Sequence, residues 1–230
     1  MTARSFSLVD IKVAEAEFFL CKIPTCGYDF FAAQCYVSAF VGAVRTVTFS
    51  LQSVLKSVDG FESWYATKQD ELRNNSLAKF FHDFRTVSQH IGENAVRGGT
   101  SGPNMKTLYW FMPTEDLQVV PEMDVETACT IHFKTILELT YDCYLAFGPH
   151  IDPKQYYTAD HCATLGKTVE DVELELFGLP PGTAPDGYSE TYRWQYIRDN
   201  MGGCEINHLF DKYLGKVTPE PERVPELKAT

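Results

Sequence analysis

Two side chains in the segment Ser76–Asn94 are of the types that carry acid–base and anion chemistry. Arg85 and His90 occur there in an R-x4-H spacing, within the run SLAKFFHDFRTVSQHIGEN. An arginine stays charged and presents a planar fork of donors that suits phosphate and carboxylate groups. A histidine titrates near neutral pH and can transfer protons. The pair is therefore a candidate site, and the alternative is that both residues lie on the polar side of an ordinary amphipathic helix.

The helix that carries the pair separates the two residues. At about 100° per residue, Arg85 and His90 lie outside opposite edges of an apolar stripe, about 140° apart. That stripe contains Leu77, Phe80, Phe81, Phe84, Val87 and Ile91. The pair converges on one phosphate only if Arg85 reaches across the polar face, if the helix is locally widened, or if a second copy of the helix lies alongside.

A narrow stripe of polar side chains runs along the long apolar helix predicted for residues 29–57. Its members recur at helical spacing on one line: Gln34, Ser38, Arg45, Gln52 and Lys56. A buried helix does not carry such a stripe without polar partners. Either this side of the helix faces water, or Arg45 lines a polar groove or the seam of a symmetric dimer.

Start and stop signals predict a mainly helical first part of the chain, residues 1–150. Its helices cover residues 7–23, 29–57, 61–73, 76–94 and 124–147. Ser76 is the predicted N-cap of the fourth helix, and Gly148-Pro149 ends the fifth. The glycine-rich segment 96–104 is predicted to be a loop, followed by a small β-hairpin at about residues 105–121.

The remainder of the chain is predicted to be a helical extension, residues 151–216, and a disordered tail, residues 217–230. One helix of the extension has Thr168 as its N-cap and Asp171 at the third helical position, a variant of the capping box. The prolines at positions 219, 221 and 225 favour disorder in the tail.

Composition limits the classes of function. The formal charge of −11 and the isoelectric point of about 5.0 oppose non-specific attraction to nucleic acid. A nucleic-acid function therefore requires a local basic site. The seven cysteines form no C-x-x-C pair and are expected to be reduced and mostly buried.

Other patterns favour a cytoplasmic protein without a membrane segment, a metal or a cofactor. The apolar stretch Phe30–Val44 is shorter than the roughly 18–20 residues that span a bilayer, so it is predicted to be part of a core helix. The first residues do not form a secretory signal. No standard metal-ligand spacing links His150, His161 and Cys162.

Three segments in this order resemble the HEPN superfamily of helical proteins. They are SAFVGAVRTVTFSLQ (Ser38–Gln52), FESWY (Phe61–Tyr65) and RTVSQH (Arg85–His90), and the resemblance covers residues 7–147. Members of that superfamily typically fold as up-and-down bundles of four or five helices and pair as homodimers. The resemblance implies such a mainly α bundle here, with the small β-hairpin as an insertion and the helical C-terminal extension added.

The resemblance also implies a chemistry. Many members are metal-independent endoribonucleases that act as toxins, in phage defence or in RNA processing. On this chain, His90 would be the general acid/base and Arg85 the phosphate clamp in a cleft shared by two copies. The products would carry a 2′,3′-cyclic phosphate.

Supporting residues and partners follow from the same resemblance. Gln89, Arg45 and Lys56 would supply further polar groups for RNA. Thr86 stands where active members usually carry Asn, Asp or His. The implied partners are a second copy of the chain, RNA, and an antitoxin or another protein. The alternative is a catalytically inactive HEPN-like dimer that binds a partner protein or a nucleotide.

Overall fold

The computed structural model of the chain describes residues 5–101, 106–183, 188–221 and 223. As predicted, these residues form a mainly helical protein with a small antiparallel sheet of two strands. They fall into two compact units that divide between Thr140 and Tyr141.

The first unit contains the helices predicted for the first part of the chain. Its elements are α1 (Ser7–Lys22), α2 (Phe30–Leu55), α3 (Phe61–Asn74), α4 (Ser76–His90), β1 (Val96–Ser101), β2 (Thr107–Phe111) and the first part of α5 (Val125–Ile151). A short 3₁₀ turn, Ile23–Cys26, follows α1. The N-cap of α2 is Asp29, whose side chain accepts a hydrogen bond from the backbone N–H of Ala32 at 2.9 Å.

The core of the first unit forms around α2, which packs along α1 and also contacts α4. Phe40 of α2 and Phe81 of α4 are fully buried and meet edge to face, with ring centroids 6.2 Å apart. By length and composition α2 could cross a membrane, and 39% of its most apolar window is buried inside the protein. Its buried face, in contact with α1, is the face expected of a core helix.

Both ends of α4 differ from the prediction. The N-cap is Asn75 and not Ser76, because Asn75 has an extended backbone and its side chain accepts from the N–H of Ala78 at 3.0 Å. The helix ends at His90 and not near residue 94, because Gly92 adopts a left-handed conformation with φ 85°. Ile91, predicted to be in the core stripe, therefore lies beyond the helix and is 60% exposed.

The predicted β-hairpin is displaced along the chain. β1 lies in the glycine-rich segment predicted to be a loop, and it pairs antiparallel with β2 from Val96 opposite Phe111 to Ser101 opposite Thr107. The predicted second strand around Leu117 is not a strand. Glycine lowers local strand propensity, but pairing with the aromatic residues of β2 overrides it here, and the buried ends Val96 and Phe111 anchor the ladder.

Helix α5 continues past the predicted stop at Gly148. The backbone of Phe147 leaves helical geometry, with φ −124° and ψ 17°, so two helical segments join across a kink. Pro149 lies early in the second segment, where its missing N–H costs least.

The second unit is also helical. After the end of α5 it contains α6 (Pro153–Tyr156), α7 (Ala159–Thr164), α8 (Val169–Phe177), α9 (Glu190–Asp199) and α10 (Asn207–Leu214). The predicted capping box of Thr168 and Asp171 is present at the start of α8. Its core contains Cys162, Val169, Val172, Trp194 and Ile197.

The predicted tail begins in contact with this unit. Thr218 is buried, and its backbone N–H donates to Asn207 Oδ1 at 2.9 Å. Lys154 Nζ lies 2.6 Å from a carboxylate oxygen of Glu220. Residues 222 and 224–230 lie outside the described residues.

The cysteines are less buried than the sequence predicts. Cys129, Cys143 and Cys162 are buried, and Cys21, Cys26, Cys35 and Cys204 are partly or fully exposed. Helical periodicity explains the exposed pair on α1 and α2, since Cys21 and Cys35 lie off the buried faces of their helices.

Candidate functional site

A cavity of about 520 Å³ opens in the first unit, between α2, α3, α4 and α5. Its walls carry both apolar and charged side chains. The lining residues are Val41, Val44, Arg45, Thr48, Tyr65, Gln69, Leu72, Arg73, Ala78, Lys79, Phe81, His82, Asp83, Arg85, His132 and Ile136. The volume lies within the range of about 300–1,000 Å³ typical of small-molecule sites.

The charge of this cavity is opposite to that of the chain. Four basic side chains line it, Arg45, Arg73, Lys79 and Arg85, against the single carboxylate of Asp83, whereas the whole chain carries a net charge of −11. Such a local excess of positive charge in a concave site attracts anions.

Most of these cations lack a carboxylate partner. Arg73 is paired with Asp70, with Nη1 2.7 Å from Oδ1. Among the residues that the structure describes, Arg45, Lys79 and Arg85 form no salt bridge. Their charge therefore remains available to a ligand.

Arg85 is held at the wall of the cavity by α4. It follows the fully buried Phe81 by one helical turn, and its own side chain is half-buried. Its Nε is shielded from solvent and has no hydrogen-bond partner in the structure. A cavity-lining guanidinium with an unused donor is a strong candidate for ligand binding.

Arg45 reaches the same cavity from α2, where two neighbours on its own helix fix its position. Nη1 donates to Thr48 Oγ1 at 3.2 Å, and the guanidinium lies 4.3 Å from the ring centroid of Phe49. The Thr48 hydroxyl donates in turn to the backbone carbonyl of Arg45 at 2.9 Å. Arg45 is thus oriented without losing its charge to a carboxylate.

His132 of α5 also lines the cavity and is only 7% exposed. Its ring stacks on Phe81, with centroids 4.5 Å apart and an interplanar angle of 11°. Burial lowers the pKa of His132 from 6.5 to about 3, so the imidazole is neutral at pH 7. Its Nδ1 is buried without a partner.

The other predicted site residues on α4 do not line this cavity. His90, in the last turn of α4, is exposed. Gln89 is also exposed, and its Nε2 covers α2 at Gly42, 3.5 Å from where a Cβ would stand. The Thr86 hydroxyl donates to the backbone carbonyl of His82 at 3.0 Å. The structure thus separates Arg85 from His90, in agreement with the angle between them on the helix.

The polar stripe of α2 has two kinds of partner. Near the N-terminal end of the helix, Gln34 Nε2 donates to the carbonyl of Val96 at 2.8 Å, and Asn94 Nδ2 donates to Ser38 Oγ at 3.0 Å. This end of the stripe holds the segment that leads into β1. Its polar atoms are satisfied within the chain.

The remaining members of the stripe, Arg45, Gln52 and Lys56, differ in their surroundings. Arg45 lines the cavity, as one of the two predicted alternatives requires. Gln52 Nε2 donates to the Tyr65 hydroxyl at 3.2 Å, which joins α2 to α3. Lys56 follows the end of α2, is exposed, and does not line the cavity.

Several cavity residues were not predicted from the sequence. Lys79, His82 and Arg85 recur every third residue on α4, and this spacing on one side of a helix is a signal that could have identified the first two. Arg73 lies at the end of α3, and no pattern distinguishes it. His132 has no local signal, because only the packing of α5 against α4 brings it to the cavity.

The donor set of the cavity suits an anion and not a metal ion. Within residues 5–101, 106–183, 188–221 and 223, no group of three or more His, Cys, Asp or Glu side chains could hold a metal. Guanidinium and ammonium groups are instead the usual partners of phosphate and carboxylate oxygens.

Comparison with known proteins identifies one similarity. The family described as bacteriophage lambda protein ea47 matches residues 27–95. This segment contains α2, α3 and α4, and therefore every lining residue of the cavity except His132 and Ile136. The chain matches no curated protein and no solved structure at a significant level.

Proposed function

We propose that this protein is a HEPN-like helical module that binds the phosphate group of a nucleotide, free or within RNA, in the cavity between α2 and α5. The observation that carries the proposal is the position of Arg45, Lys79 and Arg85 around one cavity without a carboxylate partner. Their combined charge contrasts with a chain of net charge −11. Phosphate is the ligand chemistry that such a set recognises best.

The binding mode follows from the side chains. The Arg85 guanidinium offers a planar fork that pairs with two phosphate oxygens at once. Arg45 approaches from α2, and Lys79 adds a mobile point charge. Asp83 repels a dianion and favours a ligand that keeps clear of that part of the wall. The cations neutralise the phosphate without a metal ion.

Ribonuclease activity of the HEPN type is the second candidate, because a histidine accompanies Arg85. His82 lines the cavity one helical turn from Arg85, and His90 is exposed on the other side of α4. In metal-independent cleavage the RNA 2′-oxygen attacks phosphorus as its proton passes to a base. The bond to the 5′-oxygen breaks, and that oxygen takes a proton from an acid. A second copy of the chain would supply the second histidine, and an antitoxin would be its natural regulator.

Binding and cleavage are tested with the same variants. We expect the wild-type protein to bind a short fluorescent RNA and ribonucleoside monophosphates, and Arg85→Gln to weaken both by at least about tenfold, since a charge-assisted hydrogen bond contributes about 1.5–3 kcal/mol. Arg97→Gln is the matched control, because Arg97 is exposed and paired with Glu93 outside the cavity. Binding that is unchanged in Arg85→Gln would overturn the proposal.

Cleavage is read from the same RNA by gel electrophoresis and by mass measurement of a 2′,3′-cyclic phosphate end. Loss of cleavage in His90→Ala would support the dimer cleft implied by the resemblance. Loss in His82→Ala alone would assign the proton transfer to the cavity. Intact RNA with every variant and with the wild type, together with retained binding, would leave the protein as a binding module.

A further inference from the structure

Two buried nitrogen atoms without hydrogen-bond partners lie on residues of the same cavity. Among the residues described, the buried side-chain atoms without a partner are Arg85 Nε, His132 Nδ1 and Thr114 Oγ1. The first two belong to cavity-lining residues. Buried polar groups in native proteins are nearly always hydrogen-bonded, so two unpaired groups at one site indicate a partner that the free chain does not supply.

The two residues that carry these nitrogens share one aromatic neighbour, Phe81. Phe81 and Arg85 are i, i+4 neighbours on α4, whose Cβ atoms lie about 6 Å apart. The ring of His132 stacks on Phe81 from α5, with centroids 4.5 Å apart. Arg85 and His132 are therefore both neighbours of Phe81, and all three residues line the cavity. A single bound molecule of modest size can contact both residues from within the cavity.

The two nitrogens differ in charge. Arg85 carries a full positive charge, whereas desolvation lowers the pKa of His132 to about 3 and keeps its ring uncharged at neutral pH. The charged Arg85 guanidinium suits a phosphate, whereas the neutral His132 ring suits an uncharged hydrogen-bonding group.

We infer that the cavity holds a phosphate-bearing compound of mononucleotide size, with its phosphate on the cationic side chains and a neutral ring or hydroxyl group hydrogen-bonded to His132. This inference rests on the proposed function and adds the second contact. The apolar lining side chains suit a ring, namely Val41, Val44, Leu72, Ala78 and Ile136. His132 is then the residue that distinguishes a nucleotide from a free phosphate.

Calorimetric titration of the full chain compares three kinds of probe. They are the four ribonucleoside 5′-monophosphates, the four ribonucleosides and inorganic phosphate. We expect at least one monophosphate to bind at least about tenfold more tightly than inorganic phosphate, the equivalent of about 1.4 kcal/mol. Equal affinity for inorganic phosphate and all four monophosphates would overturn the inference while leaving phosphate binding intact.

Two variants at position 132 test the residue itself. His132→Phe keeps a ring on Phe81 but removes both nitrogens, and we expect it to weaken the monophosphate by about tenfold and to leave inorganic phosphate unchanged. His132→Asn returns a polar atom near the position of Nδ1 and should recover part of the loss. A monophosphate affinity in His132→Phe equal to that of the wild type would contradict the inference.

A different set of binding results would reject the proposed function itself. If neither inorganic phosphate nor any monophosphate binds the wild-type chain, or if Arg85→Gln leaves every affinity unchanged, both the proposed function and the inference fall. If Arg85→Gln abolishes binding but the position-132 variants change nothing, the proposed function stands and the inference falls.

Discussion

The two units of the chain treat their partly buried arginines in opposite ways. In the second unit, Arg193 forms two hydrogen bonds with the Glu173 carboxylate, one of them from Nε to Oε1 at 2.9 Å. Arg198 donates from Nη1 to the carbonyl of Tyr157 at 3.2 Å. In the first unit, Arg85 keeps a buried Nε without any partner.

A shortage of carboxylates does not explain the difference. The chain has 31 Asp and Glu residues against 20 Lys and Arg residues. In the second unit, a carboxylate or a backbone carbonyl accepts from the arginines Arg193 and Arg198. Where cations line the cavity, only Asp83 accompanies them. The contrast supports the proposal that the unpaired cations serve a ligand and not the fold.

The largest expected effect is on stability and concerns the Arg193–Glu173 pair of the second unit. Arg193→Gln leaves the Glu173 carboxylate, a buried side chain, without its bidentate partner. We expect the free energy of unfolding to fall by about 3–5 kcal/mol, as on breaking other buried pairs. The matched variant Arg85→Gln removes a cation without such a partner and should cost less than about 1 kcal/mol. Urea titration followed by circular dichroism measures both variants. Equal losses of unfolding free energy would contradict the contrast between Arg193 and Arg85.

An intermediate effect concerns pH and His132. The folded pKa of about 3 lies below the ordinary value of 6.5, so between these values the unfolded chain binds a proton that the folded chain does not. Stability is therefore lost as the pH falls through this window, at up to about 1.4 kcal/mol per pH unit.

The variant His132→Phe removes that dependence and also the unpaired buried nitrogen. Between pH 6 and pH 5 we expect the wild type to lose about 1 kcal/mol more stability than the variant. At pH 7 the variant should be at least as stable as the wild type, because an apolar ring replaces an unsatisfied polar one. Parallel pH profiles for the two proteins would show that His132 is not buried and neutral.

The smallest expected effect concerns Lys79 and ranks its contribution to ligand affinity against that of Arg85. Lys79 is exposed, so its charge acts on a ligand through screened attraction. Lys79→Gln should weaken a ribonucleoside monophosphate by no more than about fivefold, the equivalent of 1 kcal/mol or less. The loss should shrink as salt rises, which titrations at two ionic strengths can measure. A loss larger than that of Arg85→Gln would reverse the assigned order of the cations.

Features set by neighbouring residues were predictable from the sequence. The capping box of Thr168 and Asp171 and the presence of the long helices follow from local signals, whereas the predicted ends of α4 and α5 were wrong. The angle between Arg85 and His90 around the helix axis also followed from the sequence. Because of this angle, Arg85 lines the cavity and His90 does not. The choice of Ser76 over Asn75 as N-cap was wrong by one position, since both residue types serve as caps.

Features set by distant pairing were not predictable. The strand β1 forms in a glycine-rich segment only because β2 pairs with it. His132 joins the cavity only because α5 packs against α4. The sequence pattern showed Arg85 and the polar stripe with Arg45, and the fold decided that these two share a cavity with His132. The dimer cleft implied by the HEPN resemblance stays a prediction.

The central claim is that Arg85 holds a phosphate in the cavity of the first unit. A crystal structure of the protein with a saturating ribonucleoside monophosphate tests it most directly. The predicted result is a phosphate with oxygens about 3 Å from the Arg85 guanidinium nitrogens, within hydrogen-bonding distance. A cavity that stays empty at saturating ligand, or a phosphate bound away from Arg85, would contradict the account.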